Sequence, residues 1–216
     1  MATLLHIDSS VHPAGASVSR AVTQAFRRTW QSRHPGARVI YRDLSVAPVA
    51  HLTTEAYAAG FVDPQNRTPG QVAAFAARQR LIEELERADA ILLGAPMHNF
   101  TIPSTLKAWL DNVVLFGRTA GENSTLAGTP TTVVTSRGLS YAPCTPDEEH
   151  EHVQNYLTTV LGHAMRLDVG FIVPEFTQAM HDPSMASLVP LFEWSRNRAL
   201  EEASARAQAL GKRDAT

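Results

Sequence analysis

The segment from Ala90 to Trp109 constrains the fold of this chain more than any other part of it. It opens with Ala90–Gly94 (AILLG), an apolar run typical of a strand that is buried on both faces. Pro96 breaks the strand, and Pro103 occupies a position typical of the start of a helix. A buried strand that passes into a helix through a short connection predicts a parallel sheet, with Met97–Phe100 held at the carboxyl end of its strand.

Four more segments have the length and composition of strands, and they alternate with helical segments. The predicted strands are Thr3–Ile7, Arg38–Asp43, Ala90–Gly94, Pro130–Thr135 and Asp168–Val173. This alternation predicts a parallel sheet that is covered by helices on both faces. Five strands suit the order 2-1-3-4-5, whose ligand site lies at the switch between strands one and three. We therefore predict an α/β fold, a three-layer sandwich formed by a single domain over residues 1–216.

The helical segments end at clear stop signals, and one connection between elements is long. The first predicted helix stops at His34–Gly36 and turns a set of apolar residues to the core, namely Val18, Val22, Ala25, Phe26 and Trp30. The second spans Gln71–Ala88, and its inward residues are Val72, Phe75, Ala76, Ile82 and Leu85. Three more helices are predicted: from Pro103 to about Phe116, through Val153, Tyr156, Leu157 and Val160 to Gly162, and from about Pro190 to Leu210 with Gly211 as its stop. The connection Leu44–Gly70 holds three prolines and predicts an irregular loop with one helical turn around Glu55–Ala59.

Composition narrows the class of protein. A chain of 216 residues with 44% hydrophobic and 19% charged residues is typical of a globular protein. The formal charge of −2 gives no reason to expect a nucleic-acid surface or an anionic membrane as a partner. Cys144 is the single cysteine, which excludes an intramolecular disulfide and favours a reducing compartment. The sequence shows neither an 18-residue apolar run nor a signal-peptide pattern, so we expect a cytoplasmic protein.

The loop after the first predicted strand is rich in serine. Ser10, Ser17 and Ser19 offer hydroxyl groups beside the first free amides of a helix, an arrangement suited to a phosphate monoester. The same serines can cap the helix without any ligand, and this loop alone favours that interpretation. Neither the G-x-G-x-x-G fingerprint nor the phosphate-binding lysine loop is present.

Two other loops are expected at the same edge of the sheet. Met97–Phe100 follows the third predicted strand, and its thioether, imidazole, carboxamide and phenyl groups can border and hydrogen-bond a flat heterocycle with polar edges. Ser136, Arg137 and Gly138 follow the fourth strand, where a backbone amide or the guanidinium can stabilise negative charge and the glycine permits close approach. A tight turn with a solvent-facing arginine is an equally good interpretation of the last segment. The convergence of three loops favours a ligand site.

The nine histidines do not predict a metal site. His150 and His152 are the closest pair, and a spacing of two residues points them apart on a helix. Cys144 has no C-x-x-C partner, and Ser140 lacks the G-x-S-x-G context of a hydrolase nucleophile.

Three motifs together resemble those of the FMN-dependent NADH azoreductase and NAD(P)H:quinone oxidoreductase family, whose members are flavodoxin-like homodimers. The motifs are the loop with Ser10 and Ser17-Val18-Ser19, the segment Pro96-Met97-His98-Asn99-Phe100 with Ile102-Pro103-Ser104, Leu106-Lys107, Trp109 and Asp111, and Thr135-Ser136-Arg137-Gly138. The likeness covers nearly the whole chain, and the middle motif is the most specific.

The resemblance implies a flavodoxin-like, FMN-binding domain and assigns roles to the three loops. It implies that the first loop holds the FMN phosphate, that the second borders and hydrogen-bonds the isoalloxazine, and that the third lies at the polar edge of the ring. The residues concerned are Ser10, Ser17, Val18 and Ser19; Pro96, Met97, His98, Asn99 and Phe100; and Ser136, Arg137, Gly138 and Leu139. NADH or NADPH would pass hydride to flavin N5 and leave, and a quinone or azo acceptor would then take two electrons by ping-pong exchange. The chemistry belongs to the cofactor, so no side chain is predicted to act as a nucleophile.

The sequence departs from the family pattern at three places. His98 stands where the family usually has tyrosine, which adds a group that titrates near neutral pH. Leu139 replaces a second glycine after Gly138, and the connection after Phe116 is shorter than usual and lacks an aromatic pair. Leu139 changes the loop expected beside the flavin. In the family the connection after Phe116 helps to wall the substrate pocket, so that departure concerns the choice of electron acceptor more than flavin binding.

Two other functions compete with a reductase. A flavodoxin-like electron carrier, without nicotinamide reductase activity of its own, would be strongly acidic and would flank its flavin with Trp or Tyr, unlike this chain. A flavin-free interaction domain would use the serines only as caps. We also expect a homodimer, mainly from the resemblance and in part because Trp109 and Phe116 add apolar surface.

Overall fold

The computed structural model describes residues 2–210 and contains a five-stranded, all-parallel sheet in the order β2-β1-β3-β4-β5. The strands are β1 Thr3–Asp8, β2 Arg38–Asp43, β3 Ala90–Gly94, β4 Pro130–Val134 and β5 Asp168–Ile172. The predicted fold class and strand order are confirmed. Each end of each strand lies within one residue of its predicted position.

Helices cover both faces of the sheet. They are α1 Val18–Arg33, α2 Thr54–Ala59, α3 Pro69–Glu86, α4 Ser104–Val113, α5 Val153–Leu157, which continues as π-helix over Thr158–Ala164, and α6 Val189–Ala209. Helix α3 begins two residues before its predicted start because Thr68 and Gln71 form a capping box ahead of Pro69. Helix α4 ends at Val113, short of the predicted Phe116. The predicted stop at Gly211 lies outside the described residues.

The sheet separates two hydrophobic cores. On one face, Val22, Phe26 and Trp30 of α1 pack with Ala199 and Ala203 of α6. On the other face, helices α3, α4 and α5 pack against β1, β3 and β4. Every residue of β3 is buried, as its uninterrupted apolar composition predicts for a central parallel strand.

The predicted inward stripe of α3 is wrong at one end. Val72 is exposed, whereas Arg78, which the pattern places with the polar residues, is only 2% exposed. Its guanidinium donates to the carbonyl oxygens of Asn112, Ala56 and Val114 at 2.9–3.1 Å. Arg78 is therefore buried because it satisfies carbonyl groups near the ends of α2 and α4, a requirement that hydrophobic periodicity does not express.

Trp109 does not form part of the surface. It is 2% exposed and belongs to the core beneath α4, whereas Phe116 beyond the helix is 64% exposed. The expected contribution of Trp109 to an apolar surface for a second copy is therefore wrong, and that of Phe116 stands. Within residues 2–210, no helix combines the length and the apolar character needed to cross a lipid bilayer.

Candidate functional site

The loops after β1, β3 and β4 meet at the carboxyl edge of the sheet around a cavity of about 330 Å³, within the range of small-molecule sites. It lies at the switch in strand order between β1 and β3. Of the predicted site residues, those that line the cavity are Ser10, Ser17, Val18, Pro96, Met97, His98, Ser136 and Gly138. Those that do not line it are Ser19, Asn99, Phe100, Arg137 and Leu139.

The three serines of the first loop form one hydrogen-bonded cluster. Ser17 is the N-cap of α1, accepts from the amide of Arg20, and donates from Oγ to Ser10 Oγ at 2.9 Å. Ser19 Oγ lies 3.1 Å from Ser17 Oγ. All three are at most 6% exposed. Their hydroxyl groups and the amino end of a 16-residue helix provide the donors and the partial positive charge that an anion requires.

Arg20 supports this loop from beneath, a role that sequence reasoning missed. Its guanidinium donates to the carbonyl oxygens of Ser10 at 2.8 Å and His12 at 3.0 Å. It also pairs with the carboxylate of Asp43 at the end of β2. This ion pair and the hydrogen bonds from Ser45 hold the pKa of Asp43 at about 2. The only signal in the sequence is an arginine in the first turn of a helix, where cations are unfavourable without a partner.

The loop after β3 is a tight and strained turn. The amides of His98 and Thr101 each donate to the other residue's carbonyl oxygen, at 2.7 and 3.0 Å. The two residues between them, Asn99 and Phe100, have φ angles of 47° and 67°, a left-handed region that is costly for a residue with a bulky side chain. The Met97 amide donates to the Ser136 carbonyl at 2.8 Å, so the second and third loops are tied together.

This turn separates two cavities. Met97 and His98 line the first, and Asn99 lines a second cavity of about 520 Å³, which His98 also borders. Phe100 is 53% exposed, and its ring centroid lies 5.5 Å from that of His150. The structure therefore brings His98 to both cavities and directs Asn99 and Phe100 away from the first.

In the loop after β4, the Arg137 side chain points away from the cavity. It is 4% exposed and lies 3.3 Å from Glu151 and 3.4 Å from Glu175. The guanidinium therefore lies outside the cavity lining, and its ion pairs link the loop after β4 to the two segments that carry Glu151 and Glu175. Burial lowers the pKa of Arg137, and the two carboxylates partly oppose that shift.

Part of the cavity lining comes from the chain after β5, which carries no recognisable motif. The backbone amide of Gln178 donates to the Gly138 carbonyl oxygen, and the side-chain Oε1 atom of Gln178 would lie 3.2 Å from a Cβ atom placed on that glycine. The lining residues that sequence reasoning missed are His12, Ala14, Gly15, Ala16, Ala21, Thr177, Gln178, Met180, His181, Phe192 and Arg196. The available signal was positional, since the carboxyl end of β5 lies at the same edge as the other loops.

Two of the residues that line the first cavity are histidines whose imidazole rings lie close together. The rings of His12 and His98 have centroids 6.4 Å apart. Burial and, secondarily, the charge of His12 lower the pKa of His98. The imidazole of His98 is therefore favoured in its neutral form at neutral pH.

The sheet order and the cavity at the switch point define a flavodoxin-like α/β protein. A family profile described as flavodoxin-like fold matches residues 2–188. FMN-dependent NADH:quinone oxidoreductases from Streptomyces avermitilis and Streptomyces coelicolor are each 62% identical to the chain over 214 and 213 residues, which is 99% of this chain and 99% and 97% of those proteins. The chain belongs to the flavodoxin-like family of FMN-dependent NADH:quinone oxidoreductases.

Solved structures show the same fold at much lower identity. An azoreductase from Bacillus anthracis superposes with a TM-score of 0.82 at 21% identity, covering 97% of this chain and 100% of that one. An FMN-dependent NADH-azoreductase from the same species, in complex with FMN, gives a TM-score of 0.76 at 18% identity, covering 96% and 100%.

Proposed function

We propose that this protein is an FMN-dependent oxidoreductase that transfers two electrons from NADH or NADPH to quinones or azo compounds. The observation that carries the proposal is the convergence of the serine loop, the Met97 loop and the Ser136 loop on one cavity. Relatives that are 62% identical over 99% of this chain, and that are named for NADH:quinone oxidoreduction, support the same activity.

The donors at the cavity fit FMN. The hydroxyl cluster at the amino end of α1 suits a phosphate, which we assign to Ser10, Ser17, Val18 and Ser19. Apolar Pro96 and Met97, with His98 beside them, suit the body of an isoalloxazine, and we retain Asn99 and Phe100 as candidates at its border. Ser136, Gly138 and Leu139 are assigned to the polar edge of the ring. Arg137 is retained there only through its backbone.

FMN, when bound, supplies two-electron transfer between a nicotinamide and an acceptor. The protein's contribution is to hold that ring in place and to shape the approach to it. The hydrogen bond from Met97 to Ser136 and the left-handed turn at Asn99 and Phe100 fix the loop before any ligand arrives. Because the chain has no separate dinucleotide fingerprint, donor and acceptor are proposed to use one site in turn, by ping-pong exchange.

An absorbance spectrum of the purified protein, supplied with FMN, tests the proposal. We expect flavin bands that bleach when NADH is added without oxygen and return when a quinone follows. Bound flavin that neither NADH nor NADPH reduces would instead indicate an electron carrier. Absence of flavin binding would contradict the assignment of the three loops.

We also propose a cytoplasmic homodimer. Val11, which lines the second cavity, is more than half exposed, and Phe100 and Phe116 are two further apolar residues with more than half of their surface exposed. The exposed thiol of Cys144 suits a reducing compartment. Light scattering at micromolar concentration measures the oligomeric state, and a monomer would contradict the dimer.

A further inference from the structure

Arg196 differs in charge from every other residue that lines the first cavity. The lining residues, all within the described range 2–210, include neutral hydroxyl, amide, imidazole and apolar groups, and Arg196 is the one with a fixed charge. A phosphate monoester carries a charge of about −2 at neutral pH. The serine loop offers such a group hydrogen bonds and a helix end but no cation, because Arg20 points to Asp43 and to loop carbonyls.

The guanidinium of Arg196 has no anionic partner within residues 2–210. Its Nε atom is buried and makes no hydrogen bond, and the group lies 5.6 Å from the ring of Phe192. By contrast, other partly buried arginines such as Arg42 and Arg118 pair with Glu84 and Glu86. A buried N–H donor without an acceptor is costly, and a ligand that supplies the acceptor removes the cost.

The packing of the last helix explains how Arg196 reaches the cavity. Helix α6 packs along α1, with Ala199 and Ala203 buried against it. The helices that follow parallel strands begin at the carboxyl edge of the sheet, so the first turns of α6 lie beside the first turns of α1. Arg196 lines the cavity together with Val18 and Ala21, which belong to the first turn of α1, the turn that Ser17 caps.

We propose that Arg196 is the cationic ligand of the FMN phosphate in this protein. The inference rests on the proposed binding of FMN and adds a residue from the last helix to the serine loop. A planar guanidinium donates two parallel hydrogen bonds to a phosphate, which is the strongest form of this contact.

The test compares FMN with riboflavin, which lacks the phosphate. Dissociation constants of both flavins are measured by quenching of flavin fluorescence for the wild type, Arg196→Gln, Arg196→Lys and the control Arg198→Gln. Arg198 lies on the same helix, is exposed, and stacks 4.9 Å from the ring of Trp194. Thermal unfolding of each apoprotein shows whether the variant is folded.

We expect Arg196→Gln to weaken FMN binding about tenfold and to leave riboflavin binding unchanged. Arg196→Lys retains the charge and is expected to lose less, and Arg198→Gln is expected to match the wild type. Equal weakening of both flavins by Arg196→Gln, or no weakening of either, would overturn the role of Arg196 while FMN binding stands. A wild type that binds neither flavin would contradict the proposed function itself.

Discussion

Arg20 and Asp43 form an ion pair with two hydrogen bonds, of 2.7 and 2.8 Å, between the first helix and the edge strand. The same guanidinium also donates to the carbonyl oxygens of Ser10 and His12. The carboxylate thus fixes the guanidinium, and the guanidinium fixes the backbone of the serine loop. A loop assigned to bind phosphate through its amides and hydroxyls is thereby held in shape by a pair that does not itself face the cavity.

Replacing Asp43 with asparagine is expected to lower the free energy of unfolding by about 2 kcal/mol at pH 7. The ion pair lowers the pKa of Asp43 from 3.8 to about 2. A carboxyl with a lowered pKa stabilises the fold above its unfolded-state pKa and loses that effect as the pH falls through its folded-state pKa. The difference between wild type and Asp43→Asn is therefore expected to shrink between about pH 4 and pH 2.

Urea unfolding at several pH values measures this difference. Asp111→Asn is the matched control, because Asp111 pairs with Lys107 at a site where both side chains are more than 40% exposed. We expect that variant to change stability by less than about 1 kcal/mol. A deficit of Asp43→Asn that stays constant down to pH 2 would contradict the ion pair as its cause.

Removal of the hydroxyl groups of Ser17 and Ser19 together is expected to weaken FMN binding by about tenfold. Most of the loss of FMN affinity should come from Ser17→Ala, because Ser17 lines the cavity. Ser19 does not line the cavity, and its hydroxyl group contacts that of Ser17. Loss of the N-cap also lowers the free energy of unfolding by about 1 kcal/mol. Ser32→Ala, at the exposed end of the same helix, is the control for flavin titrations, and unchanged FMN affinity in the double variant would exclude the phosphate assignment.

The strand order was predictable because each strand carries a simple signal. The uninterrupted apolar run of β3 is typical of a central strand, and alternation with helices leaves few possible topologies. The inward stripe of α3 was not fully predictable, since periodicity assigns Arg78 to the surface. Only tertiary structure shows that carbonyl groups near α2 and α4 need its guanidinium.

Some features of the candidate site were likewise predictable from the sequence, and others were not. The positions of Ser17, Met97 and Gly138 at one edge follow from the order of parallel strands. The direction of the Arg137 side chain does not follow, because it depends on two glutamates that are 14 and 38 residues further along the chain. The contribution of α6 was also unpredictable, since its residues belong to no motif and reach the cavity only by packing on α1.

Arg137→Gln is expected to lower the free energy of unfolding by about 3 kcal/mol, which is typical when one partner of a buried ion pair is removed. Glu151 and Glu175 would then lose their shared cation, and Glu151 also accepts from the first amides of α5. Chemical denaturation measures the loss. Arg87→Gln is the control, because Arg87 is 59% exposed in its pair with Glu83.

The same variant distinguishes a structural role of Arg137, through its ion pairs, from a role of its guanidinium as a charged group at the cavity. Because the Arg137 side chain points away, we expect folded Arg137→Gln to retain a flavin spectrum close to that of the wild type. Near-wild-type stability together with a strongly altered flavin spectrum would contradict the structural role and would place the Arg137 guanidinium at the polar edge of the flavin ring.

The lowered pKa of His98 predicts a dependence of stability on pH. Burial disfavours the charged imidazole in the folded protein, and His12 adds to the effect. Between the folded-state pKa and the ordinary value of 6.5, the unfolded chain binds more protons at this site, so the contribution of His98 to stability falls as the pH falls.

His98→Asn lacks this group and is expected to lose less stability than the wild type between pH 7 and pH 5. Urea unfolding of the apoproteins at both pH values measures the difference. His163→Asn is the control, because His163 is exposed and lines neither cavity. Parallel losses in wild type and His98→Asn would show that the fold does not exclude a proton from this ring.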